Sequence, residues 1–276
     1  MRILVTGGTG MLGHAMVPVL VSAGHDVTVL SRRGSPSLPR GVTSVRGNVI
    51  SGDGLESAAT GAEAVIHAAT SPVRRSRMTE LEGTRNVVRL ADRIGAHFVY
   101  ISIVGVSPES RFPYYRTKAY AERIVEETGR SWTIQRATQF HELLDRFLRL
   151  RVFPTCRGMT FQLVDPRDLS GRLVRLLESG PAGRAADFGG PEVLGIGAVY
   201  EQWRAATGRH SMLMRLPPVG PLRDFATQRN ICAENTDGRI TWSQWLAERD
   251  GRGGRGLSGL GGEGEAEHRV TTAIHE

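Results

Sequence analysis

The stretch Arg2–Gly13, RILVTGGTGMLG, decides how the rest of the chain is read. Ile3-Leu4-Val5 is a short apolar run with the look of a buried parallel strand. Thr6-Gly7-Gly8-Thr9-Gly10 turns the chain, and Met11-Leu12-Gly13 opens a helix running to about Ala23. Gly7, Gly10 and Gly13 stand at intervals of three. That spacing lets the backbone turn tightly, lets a pyrophosphate approach bare N–H groups, and lets helix pack closely on strand. A helix N-terminus adds unpaired amides and a partial positive charge for the anion. Gly-rich turns are common, but one set between a strand and a helix points to nucleotide binding.

Working outward, strands and helices alternate. Strands are expected at His25–Leu30, Val42–Arg46, Ala64–Ala69, His97–Ser102 and Trp132–Arg136. Helices are expected near Gly54–Ala59, Glu80–Ile94 and Tyr114–Thr128. Such alternation predicts an α/β fold, a Rossmann-type doubly wound parallel sheet over residues 1–137. The second half has another texture. Helical patterns at Phe140–Leu150, Asp168–Leu177, Ala198–Ala206 and Pro221–Arg229 mix with short apolar runs at Met159–Val164 and Met212–Leu216. Residues 138–248 are therefore expected to form a small C-terminal substrate-binding lid interleaved with the core, closing with the helix Thr241–Glu248. The Gly-rich remainder, 249–276, is expected to be a disordered tail.

Composition narrows the function. The chain has 276 residues, 40% hydrophobic and 23% charged, enough for one large domain with a smaller one attached. No signal peptide and no run of about 18 apolar residues is visible, which predicts a cytoplasmic protein with no membrane partner. Cys156 and Cys232 lack metal-ligand spacing, so reduced thiols are expected and no metal site. The formal charge of +7 comes from dispersed arginines; Arg74, Arg75 and Arg77 form a short cluster without aromatic interleaving, which disfavours nucleic acid as a partner. Lys118 is the only lysine among 35 basic residues. Arg does not replace a Lys whose compact ammonium is needed, so Lys118 draws attention.

Arg32 and Arg33 follow the second strand, with no acid between Leu30 and Pro39. An acid there favours NAD through the ribose 2′-hydroxyl, whereas arginine suits the 2′-phosphate, so NADP(H) is preferred over NAD(H). Asn48, after the third strand, has an amide that can meet the adenine edge, though a turn role is equally natural. Small residues at Ala68, Ala69 and Thr70 leave room for a cofactor beside the backbone. Tyr114 and Lys118, four apart, share one helix face. A phenol with a pKa near ~10 is a poor acid at neutral pH, and an adjacent ammonium lowers it. In this reading Tyr114 donates a proton, Lys118 also holds the nicotinamide ribose, and Ser102 bonds the substrate oxygen. Tyr115 competes with Tyr114 for the proton-donor role.

Taken together, TGGTGMLG, the strand end LSRR, HAAT, EGTRNVV, YISIVGV and YYRTKAYAE resemble the short-chain dehydrogenase/reductase superfamily, in particular its atypical NmrA-like NAD(P)-binding group. The likeness runs through WTIQRATQF, VDPRDLSGRLV, FGGPEVL and ITWSQWL, over roughly residues 2–248. It implies an NADPH-type site at Gly7, Thr9, Gly10, Met11, Leu12, Gly13 and Arg32, with Lys118 at the nicotinamide end. It also implies that Thr138 and Phe140 bound the substrate. Asn48-Val49 departs from the family's Asp followed by an apolar residue, and the group often lacks or leaves unused the full Ser–Tyr–Lys set. Three functions are therefore in view: an NADPH-dependent reductase of a small carbonyl, quinone or conjugated acceptor; a non-catalytic NADP(H) sensor of a protein partner; and a sugar-nucleotide epimerase or dehydratase, against which Arg32-Arg33 argue.

Overall fold

The computed structural model describes residues 1–33, 37–71 and 77–252 of the chain. These divide into two compact units. The first comprises Met1–Ala137 and Pro166–Phe188; the second comprises Thr138–Asp165 and the chain from Gly189 onward.

The first unit is built on β1 (Arg2–Thr6), β2 (Asp26–Ser31), β3 (Thr43–Arg46), β4 (Ala64–His67), β5 (His97–Ile103), β6 (Trp132–Ala137) and β9 (Gly183–Arg184). They form one sheet in the order β3-β2-β1-β4-β5-β6-β9. Every pairing is parallel, Ile3 facing Val27 on one side and Ala64 on the other. The expected α/β architecture is thus observed. Strand order reverses between β1 and β4, and ligands of such sheets bind at that switch point, outside the carboxyl ends of the strands.

Burial explains why these residues make strands. Ile3, Leu4, Val5, Val65 and Ile66 are all but inaccessible to solvent. Each such side chain contributes about 1.5–3 kcal/mol relative to exposure, and a sheet covered on both faces accepts a continuous apolar run. Leu4, Val65, Phe98, Tyr100 and Ile134 share one cluster with residues of α3 (Thr84–Arg93) and α4 (Pro113–Thr128). α1 (Met11–Ser22) and α6 (Pro166–Ser179) pack on each other. A short α2 (Leu55–Ala58) follows β3. Pro113 starts α4 at a position where its missing N–H costs nothing. Immediately before α3 the chain forms a π-helical turn, Met78–Gly83, where one continuous α-helix was expected.

The second unit contains α5 (His141–Leu148), β7 (Val152–Thr155), β8 (Thr160–Gln162), β10 (Val193–Gly195), α7 (Ile196–Thr207), β11 (Met212–Arg215), α8 (Pro221–Ala226) and α9 (Trp242–Arg252). Its strands pair as β10 with β8 and β11 with β7. Trp203 and Trp242 are fully buried at its core. Asp145 accepts a 2.9 Å bond from the Trp203 indole and 2.8 Å from Arg149, so this carboxylate is paired where it lies buried. α9 continues past Glu248 to Arg252, four residues beyond the expected end; the rest of the expected tail lies outside the described residues.

Candidate functional site

The turn after β1 shows why its glycines are required. Gly7 has φ +78°, a left-handed conformation, and a Cβ there would meet the Ala68 carbonyl and Ala69 nitrogen at 2.5 Å. A Cβ on Gly13 would run into the backbone of Gly7 and Gly8. The turn therefore presses against the end of β4 on one side and the first turn of α1 on the other. Gly10 caps α1 with no side-chain hydrogen bond, so among the described residues no side chain satisfies the N–H groups at the helix start. Gly10 and Met11 are exposed, Thr9 is half-buried, and Leu12 anchors the helix in the core. A cradle that a Cβ would fill, with free amides at its mouth, fits a dinucleotide pyrophosphate. A cavity of about 250 Å³ lies between α1 and residues 37–39, but Tyr114 and Lys118 do not line it.

Arg32 and Arg33 are exposed just beyond β2, and among the described residues neither guanidinium has a partner. Asn48 is committed to its own turn: its Oδ1 accepts from the Ile50 N–H at 3.1 Å, and its carbonyl accepts from Gly52 at 2.9 Å. The turn role is what the structure gives it. Arg77 is exposed, while Arg74 and Arg75 lie outside the described residues.

The side-chain chemistry gathers where β4, the π-helical turn, β5 and α4 converge. Thr70 Oγ1 is 2.6 Å from Tyr114 Oη and donates to Glu80 Oε1 in a short bond. Glu80 Oε2 accepts from Tyr100 Oη at 3.1 Å and lies 3.2 Å from Lys118 Nζ. Lys118 Nζ also donates to Tyr100 Oη at 3.0 Å and to the Ile101 carbonyl at 2.7 Å. Two of the ammonium's three protons are thus taken, and the Glu80 carboxylate pairs with its charge. A ribose held by Lys118 would have to share the ammonium with these partners. Sequence reasoning missed Glu80 and Tyr100. The available signal was an acid at position 80 followed by Thr84, Val87, Val88 and Ala91, a stripe that is buried throughout.

Three expectations change. Lys118 was expected to pull the Tyr114 pKa down, but it is raised well above the ordinary phenol value. Desolvation of the hydroxyl is the main cause, followed by the negative charge of Glu80; the Thr70 bond works the other way. Burial and Glu80 likewise push Tyr100 up. Ser102 was expected at the substrate oxygen, yet only 2% of it is exposed. Alternation along β5 sets Ser102 on the face of Phe98 and Tyr100, near the Glu122 carboxylate without a direct bond. Burial opposes that carboxylate, but bonds of 2.8 and 2.6 Å from Arg136 hold its pKa below the usual value. Tyr115, the expected competitor, is buried against Phe112, with ring centroids 5.1 Å apart. Part of Tyr114 faces solvent, so the geometry favours Tyr114.

His67 ends β4 beneath the site. Burial first, then Lys118, lowers its pKa to about 3, so the ring is neutral. It bonds Thr6 Oγ1 at 2.6 Å and Thr84 Oγ1 at 3.2 Å, a structural role. Thr138 and Phe140 belong to the second unit. Thr138 is buried and its Oγ1 accepts from Gly190 at 3.3 Å; Phe140 is half-buried and caps α5.

A parallel sheet with a glycine cradle at its switch point defines a dinucleotide-binding protein. Residues 7–143 match the NAD(P)H-binding family. It is 26% identical to the photosystem II assembly factor Ycf39 of Synechocystis sp., over 90% of this chain and 80% of that one. A 3-beta-hydroxysteroid dehydrogenase of Mycolicibacterium neoaurum is 31% identical over 45% of this chain, which spans 42% of that enzyme's length. The UDP-glucose 4-epimerase of Thermus thermophilus, solved with NAD, superposes with a TM-score of 0.68 at 19% identity, covering 90% of this chain and 97% of the epimerase. That likeness shows the fold. No helix among the described residues is long and apolar enough to cross a membrane.

Proposed function

We propose that the chain is a cytoplasmic, NADPH-dependent reductase of a small carbonyl, quinone or conjugated acceptor. One observation carries this reading. Gly7 packs on Ala68 and Ala69, and the next residue, Thr70, bonds Tyr114, so three consecutive residues join the dinucleotide turn to the proton donor. Gly7, Gly10, Gly13 and the free amides of α1 would hold the pyrophosphate, and Arg32 with Arg33 the 2′-phosphate. The reduced dinucleotide, when bound, supplies hydride. Tyr114 keeps its proton at neutral pH and donates it to the acceptor oxygen as charge builds there. The phenolate left behind regains a proton from solvent, to which the side chain is partly open. Thr138 and Phe140 are proposed to bound the acceptor.

Binding is tested first, by fluorescence titration of the purified protein with NADPH, NADP, NADH and NAD. Micromolar NADPH binding at least tenfold tighter than NADH, about 1.4 kcal/mol, supports the Arg32 assignment. Failure of all four to bind ends the reading. On an acceptor panel, Tyr114→Phe is expected to cut turnover by about 100-fold or more while NADPH affinity stays within about twofold; equal turnover removes Tyr114 from the mechanism.

A second reading has its own support. With Lys118 held by Tyr100, the Ile101 carbonyl and Glu80, and Tyr114 a reluctant acid, the site also suits a protein that binds NADP(H) and regulates a partner, and the likeness to an assembly factor spans most of the chain. Its signature is a partner interaction that follows the NADPH/NADP ratio, with no turnover on the panel.

A further inference from the structure

We infer that Glu80 is a positioning residue of this site: its buried carboxylate takes the hydroxyl protons of Thr70 and Tyr100 and pairs with Lys118, and it thereby fixes Tyr114 as a donor. The inference rests on the reductase reading and deepens it.

The directions follow from proton counting. A carboxylate only accepts, and a hydroxyl has one proton. Thr70 gives its proton to Glu80 Oε1, so its oxygen meets Tyr114 as an acceptor, and Tyr114 is the donor across the 2.6 Å contact. Tyr100 gives its proton to Glu80 Oε2 and accepts from Lys118. Lys118 faces the same Oε2 directly. The Tyr114 proton is thus the one hydroxyl proton in the network that does not satisfy the carboxylate, and it is the one free to turn toward an acceptor.

Glu80 also governs charge. It is inaccessible to solvent and paired with an almost equally buried Lys118, so the ammonium projects little net field toward Tyr114. The other groups around the phenol leave that balance intact. Thr70 and Phe112 are uncharged, Tyr115 is a neighbouring phenol, and His67, stacked on Tyr100 with centroids 5.8 Å apart, is held neutral by burial. The raised pKa denies Tyr114 service as a base in oxidation and leaves it to give its proton only once charge has built on the acceptor oxygen.

The test uses ligand-free protein labelled with 13Cζ-tyrosine, Tyr114→Phe identifying the Tyr114 resonance among the five tyrosines. Glu80→Gln removes the negative charge, leaves Lys118 cationic, and offers an amide N–H2 where only an acceptor stood. At neutral pH the Tyr114 Cζ resonance is expected to move in Glu80→Gln and to stay at its unmodified position in Glu80→Asp. An unmoved resonance in Glu80→Gln overturns the assignment. Should Glu80→Gln fail to fold, Thr70→Val, at an exposed position, cuts the link alone. The Tyr114 Cζ resonance is expected to move in Thr70→Val and return in Thr70→Ser; an unmoved resonance again overturns the assignment. None of these readouts needs a dinucleotide. A chain that binds none of the four ends the reductase reading and leaves the hold of Glu80 on Tyr114 measurable. An unmoved Tyr114 in a chain that reduces acceptors does the reverse.

Discussion

The glycine turn after β1 and the tyrosine–lysine face of α4 meet through Ala68–Thr70, yet they are made of different material. The turn is backbone: three glycines, unpaired amides, and a φ that suits glycine. Its partners lie within about ten residues, apart from the end of β4 and Val29 of β2. The α4 face is side chains from four segments, and the charge on each is set by the others. A site of the first kind can be inferred from a contiguous stretch. In a site of the second kind, residue type and spacing name the members but leave their protonation open, because the deciding partner can lie anywhere. Here it is Glu80, 38 positions before Lys118.

The comparison can be broken from either side. Gly13→Val should have the largest effect on dinucleotide binding, because the added Cβ meets backbone that cannot move. Strain of about 1–3 kcal/mol and loss of measurable NADPH binding are expected, read by denaturant unfolding and by the fluorescence titration. Normal binding would mean that the turn tolerates a side chain and that its glycines are not what defines it. Lys118→Met leaves Glu80 buried without its cation, and a stability loss of about 3–5 kcal/mol is expected by urea unfolding. A loss under about 1 kcal/mol would show that the pair contributes little to the fold. Arg32→Ser sharpens the contrast, since an exposed arginine acts on ligand alone. NADPH should weaken by about 1.5–3 kcal/mol, with NADH and the unfolding midpoint unchanged. An equal loss for both dinucleotides would place Arg32 away from the 2′-phosphate.

The most gradual effect is a pH slope. His67 has a folded pKa of about 3 against 6.5 when unfolded, so between those values the unfolded chain binds the extra proton. Stability should be fully present above pH 6.5 and fall as pH drops toward 3, by at most about 1.4 kcal/mol per pH unit from this group. His25 and His97, also lowered by burial, add to the slope with the same sign. His67→Gln should flatten it; an unchanged slope would assign the effect to the other two.

The same contrast explains what the amino-acid sequence revealed. The strands β1 to β6 and the helices α1 and α4 were legible, since each is a local pattern of burial. The strands β7, β9 and β10 were not expected; β9 is two residues long, and β7 carries Pro154. Nothing local in Pro166–Phe188 announces that it returns to the first unit, where α6 packs on α1 and β9 pairs with β6. Ser102 was correctly placed at a strand end, but its face depends on the register with which β5 enters the core. The turn at Asn48 was legible as an alternative, and the structure gives the residue that role. Glu80 was invisible as a functional residue because acids on helices are ordinarily solvated; its burial follows from packing against β5 and α4.

The π-helical turn Met78–Gly83 makes the arrangement sensitive to chain length. Successive residues of a regular helix are set about 100° apart around its axis. Loss of one residue from this segment would let the turn relax into α-helix and swing everything before it by roughly that angle. Glu80 would then leave Lys118 and Thr70 with no atom of either residue altered. A single-codon deletion between Glu80 and Thr84 would preserve every chemically active side chain and still uncouple them.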